Sequence, residues 1–172
     1  MNSALSGLPG IPEAILQQRG FIAQQEAVTL VLAETGTDGR QYLLTPAACT
    51  AWHAMKQAAA ADGVALLMIS AFRSVERQAE IIRDKLNRQI PIEQILQICA
   101  PPGYSEHHTG RAIDIATPDD PDLEESFELT PAFAWLNAHA PAFGFQLSYP
   151  RGNQSGYLYE PWHWCYQPDK TA

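Results

Sequence analysis

Two short apolar runs rich in β-formers, residues 27–33 (AVTLVLA) and 41–45 (QYLLT), flank the turn-forming stretch ETGTDGR. That pattern predicts a β-hairpin. At Thr45-Pro46 the character changes to a helix start, with Thr as N-cap and Pro at the first helical position. The helix is expected to run through the alanine-rich AWHAMKQAAAA and to stop at Asp62-Gly63. Residues 64–72 (VALLMISAF) form a continuous apolar run and predict a central strand buried on both faces. Ser74 can cap a following helix, residues 75–89, in which Ala79, Ile82 and Leu86 recur at helical spacing. A shorter helix is expected after Pro91, then a loop over 100–110 and a strand over 111–116, RAIDIA. An acidic loop, 118–128, precedes a second Thr-Pro helix start at Thr130-Pro131, and FGFQLSY and EPWHWCYQ read as closing strands. The sum is an α+β fold, a mostly antiparallel central sheet flanked by helices, in a single domain over 1–172 with no internal repeat.

Asp114 interrupts the apolar strand. By alternation Ile113 and Ile115 share one face, and Ala112, Asp114 and Ala116 share the other. A carboxylate buried there needs a cation or several donors. A salt bridge to Arg111 or Arg73 would serve, and so would a metal ion with an upstream histidine as companion ligand. The C-terminal YEPWHWCY adds to the second possibility. Alternation puts Trp162 and Trp164 on the core face and His163 on the opposite one. Glu160 would face away from His163 in an unbroken strand, but Pro161 disfavours an unbroken ladder, and a bend there brings both side chains to one cleft. Two histidines and one carboxylate with an open position are the pattern of catalytic zinc, and a free glutamate nearby can act as its general base.

Composition narrows the function classes. The chain has 172 residues, of which 46% are hydrophobic, enough for one domain with a proper core. Its net charge of −8 argues against nucleic acid and anionic membrane surfaces as partners. No apolar run reaches the length of a membrane span. The first twenty residues lack the basic region and unbroken apolar stretch of a secretory leader, so a cytoplasmic location is expected, or a periplasmic one if a leader has been removed. Cys49, Cys99 and Cys165 are odd in number and widely spaced, which argues for reduced thiols rather than a disulfide framework. Cys165, two residues after His163, is a candidate neighbour of the metal.

Taken together, the motifs resemble the zinc D-Ala-D-Ala carboxypeptidases and dipeptidases that trim peptidoglycan peptides, the VanY and VanX types. Their signature Ser-x-His-x-x-Gly-x-Ala-x-Asp is met by Ser105-Glu-His107-His-Thr-Gly110-Arg-Ala112-Ile-Asp114, and their Glu-x-x-His by Glu160-Pro-Trp-His163. SAFRSVERQ resembles their Ser-x-Tyr-Arg-Ser segment, with Phe72 in place of the usual tyrosine. The resemblance runs from about residue 43 to 166. It implies one zinc ion held by His107, Asp114 and His163, with His108 a loop neighbour. Glu160 would be the base for the attacking water and later the acid for the leaving amine. Arg73 would stabilise the oxyanion, and Ser105 and Gln78 would touch the substrate's terminal groups. His53 and His139, on predicted helices, read as surface or packing residues.

The implied activity is removal of a C-terminal D-alanine from muropeptides. The acidic charge and the expected location favour L,D-carboxypeptidase action on tetrapeptides in cell-wall recycling. D,D-carboxypeptidase or dipeptidase action and an endolysin-like endopeptidase are the other options within the family. A binding module that has lost activity fits poorly with an intact Glu160 and Arg73. A non-haem iron oxygenase also uses two histidines and a carboxylate. Those enzymes commonly space the first two ligands as His-x-Asp, whereas residues 108–113 separate His107 from Asp114 here. The oligomeric state is not encoded in any of these features.

Overall fold

Four antiparallel strands, β3 (Leu67–Ser70), β4 (Ala112–Ala116), β5 (Phe145–Leu147) and β6 (His163–Tyr166), form a sheet of order β3-β4-β6-β5 in the computed structural model, which describes residues 11–167. The expected hairpin is a separate two-stranded sheet, β1 (Val31–Thr35) and β2 (Gln41–Leu44). The helices are α1 (Glu13–Gln18), α2 (Pro46–Ala61), α3 (Val75–Asn87), α4 (Ile92–Ile98) and α5 (Pro131–His139). This is the α+β architecture anticipated from the sequence. The chain's first ten residues, part of the stretch read for a leader, lie outside the described residues.

The sheet's central strand is not the one expected. The run 64–72 supplies β3, an edge strand in which only Met68 is fully buried. All five residues of β4 are buried instead. The reason lies in strand order: β4 pairs with β3 on one side and β6 on the other, so both its edges and both its faces are covered. Ile113 and Ile115 face the main core with Trp52, Phe127, Leu136 and Trp164. Burying each large apolar side chain of this kind stabilises the fold by about 1.5–3 kcal/mol. Asp114 faces the other way.

The helix starts behave differently from one another. Ser74 Oγ accepts from Arg77 N–H and Thr130 Oγ1 from Phe133 N–H, as their positions predict. Thr45 makes no side-chain cap. Its N–H donates to Gly110 O, and its methyl faces Gly110 across a gap that a Cβ on that residue would narrow to 3.2 Å. Gly110 itself has φ +63°, and a Cβ there would lie 2.8 Å from Leu30 Cδ2. The position therefore requires glycine both for its backbone and for its neighbours. The loop before it tightens into a 3-10 turn, Glu106–Thr109, and the acidic loop contains a second one, Glu125–Leu129, which buries Phe127.

Candidate functional site

Sheet register builds the site. Asp114 of β4 lies opposite His163 of β6 and opposite Ser70 of β3, so one row of side chains crosses three strands on the face away from the core. The 3-10 turn that precedes β4 brings His107 to the same point. Asp114 Oδ1 lies 3.0 Å from His163 Nδ1, and Oδ2 lies 3.3 Å from His107 Nε2. The two imidazoles meet edge to face with centroids 4.9 Å apart. All three side chains are buried, and one nitrogen or oxygen from each lies within 4.8 Å of the others.

The remaining ring nitrogens are anchored. His107 Nδ1–H donates to Ala71 O at 2.7 Å, which leaves Nε2 to face Asp114. His163 Nε2 meets Glu106 Oε2 at 2.9 Å. This donor set fits a divalent cation: two nitrogens and a carboxylate converge, and each imidazole is oriented through its far side. The electrostatics agree. Burial alone would push His163 down, but its hydrogen bonds to Asp114 and Glu106 overcome that and lift it to about 10. Asp114 would be raised by burial, yet the two histidines hold it well below the usual carboxylate range. The pocket thus favours positive charge at this point.

Glu160 arrives as the bend requires. β6 begins only at His163, and residues 160–163 form a turn closed by His163 N–H donating to Glu160 O. Glu160 Oε2 comes to 3.8 Å from His163 Nδ1, near the convergent atoms but beyond hydrogen-bond distance. Burial first, then the charge of Asp114, pushes it up to about 7. Trp164 packs in the core as expected, whereas Trp162 falls in the turn, half-buried between the core and the cleft.

Arg73 projects into the same cleft, which has a volume of about 460 Å³. Its guanidinium donates to Gln78 Oε1 at 2.9 Å and Ser70 Oγ at 3.1 Å, both neutral acceptors. Gln78 also lines the cleft: its Oε1 accepts from Arg73, and its Nε2 donates to Ala100 O and Cys99 Sγ. Ser105 also lines the cleft, and its Oγ accepts from His107 N–H. His108 points elsewhere. Completely buried, it donates from Nδ1 to Arg73 O and accepts at Nε2 from Gly103 N–H, tying the motif loop to the arginine segment. His53 contacts Ala33 O and His139 lies against Trp135, both remote packing roles. Cys165 stands outside the convergent group; burial, then the charge of Glu106, raises its thiol.

Two neighbours escaped the sequence reading. Glu106 occupies a variable position of the Ser-x-His signature, and the Tyr149 ring lies tilted against His163 with centroids 4.7 Å apart. Neither has a spacing that points to the site. The only sequence hint for Glu106 is its place beside His107 in a stretch too short to turn away.

Comparison with known proteins gives a consistent picture. Residues 41–169 match the family VanY: D-alanyl-D-alanine carboxypeptidase. The protein YodJ of Bacillus subtilis (strain 168), which bears the name carboxypeptidase, is 34% identical over 128 residues, covering 73% of this chain and 46% of YodJ. The chain therefore spans about half the length of that curated relative. Among solved structures, the LD-carboxypeptidase LdcB overlays with a TM-score of 0.76 at 29% identity, covering 86% of this chain and 72% of LdcB. A mutant VanY D,D-pentapeptidase solved in complex with Zn(II) overlays with a TM-score of 0.64 at 28% identity, covering 83% and 80%.

Proposed function

Since the chain belongs to the VanY D-alanyl-D-alanine carboxypeptidase family, we propose that it is a zinc-dependent carboxypeptidase removing the C-terminal D-alanine from peptidoglycan-derived peptides. The observation that carries this reading is the convergence of His107 Nε2, His163 Nδ1 and Asp114, with Glu160 beside them and not among them. Zinc held by the three side chains supplies a Lewis acid that activates water and polarises the scissile carbonyl.

The chain's own residues do the rest. Glu160 takes the attacking water's proton on its carboxylate and passes it to the leaving amine of D-alanine. Arg73, whose hydrogen-bond partners are neutral, keeps its charge for the oxygen that becomes negative as the carbonyl is attacked. One well-placed donor of this kind is worth roughly 3–4 kcal/mol in the transition state. Gln78 and Ser70 fix the guanidinium, which limits the reorganisation the reaction demands. Ser105, already accepting from His107 N–H, retains its own O–H for the substrate's terminal carboxylate.

In this reading the preferred bond is the L,D bond of tetrapeptides and the setting is recycling inside the cell. The overlay on LdcB, at a TM-score of 0.76 against 0.64 for the zinc-bound D,D-pentapeptidase, supports the first point. Three buried free cysteines support a reducing compartment. The charge of −8 suits a soluble peptide better than a polyanionic wall. The test is kcat/KM on defined tetrapeptide and pentapeptide muropeptides, with cell fractionation alongside. Preference for tetrapeptide by about tenfold, equal to 1.4 kcal/mol of transition-state binding, is the expected result. A pentapeptide preference of that size would replace the L,D reading with a D,D one, and recovery mainly from the periplasm or wall would overturn the recycling setting; either leaves the zinc chemistry intact.

A further inference from the structure

We propose that Glu106 is a positioning residue for the metal site: its carboxylate grips His163 from the far edge of the ring and turns the Nδ1 lone pair toward the point faced by Asp114 and His107. The inference rests on the zinc reading above. A neutral imidazole carries one proton, and its two nitrogens lie on different edges of the ring. Glu106 Oε2 is 2.9 Å from Nε2, while Asp114 Oδ1 is 3.0 Å from Nδ1. A metal bound there would displace the Nδ1 proton that Asp114 otherwise accepts, leaving Nε2–H donating to Glu106 and the Nδ1 lone pair on the metal's side.

Glu106 is itself held in place. Ser148 Oγ–H donates to the same Oε2 at 2.6 Å, and the glutamate side chain is 19% exposed. Its oxygens lie on the opposite side of His163 from the convergent atoms, so it orients a ligand without being one. The contrast with His107 is informative. That ring is oriented by a neutral carbonyl, Ala71 O, and His163 by a full negative charge. A carboxylate behind a ligating histidine fixes its tautomer and raises its basicity, and losing such a partner typically costs about 10–100-fold in metal affinity.

The test is zinc affinity of wild type and Glu106→Gln, measured by competition with a chromophoric chelator, together with the visible spectrum of the cobalt-substituted proteins. Glutamine keeps the shape and one acceptor but removes the charge. The expected result is zinc binding weakened by about 10–100-fold and a displaced cobalt band, with an unchanged circular dichroism spectrum. If Glu106→Gln does not fold, Glu106→Asp, one methylene too short to meet Nε2, takes its place. Equal zinc affinity and an identical cobalt band would overturn the role of Glu106 and leave the zinc reading standing. A wild-type protein that binds no zinc would overturn both.

Discussion

Glu160→Ala is expected to retain one zinc per chain and to lose turnover by about 10²–10⁴-fold, the range that a general base contributes. Its carboxylate lies 3.8 Å from His163 Nδ1, outside the set of atoms that converge on Asp114, so its removal leaves all three proposed ligands in place. Unlike Glu106, it lies beyond hydrogen-bond distance of His163, which frees it to accept a proton from water. Binding of substrate should change little, because Arg73 and Ser105 are untouched. The loss therefore falls on kcat and not on KM. The measurement pairs elemental analysis for zinc with steady-state kinetics on a tetrapeptide. Metal and activity vanishing together would make Glu160 a ligand or a structural residue.

His163→Ala is expected to fail in a different way. It removes one of three ligands and leaves Asp114 and Glu106, both hydrogen-bonded to His163 in the folded protein, facing an empty space. Zinc binding should fall below stoichiometry and turnover to the uncatalysed background. Stability should suffer as well: breaking a buried charged pair by deleting one partner typically costs about 3–5 kcal/mol. The zinc-free forms of both proteins, compared by thermal unfolding, isolate that second effect from the loss of metal. Stoichiometric zinc bound with wild-type affinity would strike His163 from the ligand set.

The elements that carry function were legible where local pattern decides them. The hairpin, α2, α3, α4 and α5 follow from turn residues, N-caps and helical spacing, and these depend on neighbours within a few residues. The direction of Asp114 followed from strand alternation, and the approach of Glu160 from the break at Pro161. What the local pattern does not contain is strand order. A continuous apolar run is compatible with a central or an edge position, and the run 64–72 became the edge because β6, nearly fifty residues beyond β4, pairs on the other side of β4. Glu106 was missed for the same kind of reason. Its partners, His163 and Ser148, are 57 and 42 residues away, and only the assembled sheet decides which edge of the imidazole it meets. Gln78 likewise depends on the assembled fold: it lines the cleft, and its hydrogen bonds to Arg73 and Ala100 join residues that local pattern does not connect.

The central claim, that His107, Asp114 and His163 hold a zinc ion on which D-alanine release depends, is tested most directly by titrating zinc into chelator-stripped protein. The readout is D-alanine released from a defined tetrapeptide, followed by mass spectrometry. The account predicts no release without metal, a rise in proportion to added zinc, and a break at one equivalent per chain. Release that persists in the stripped protein, or that stays absent at full zinc loading, would contradict it.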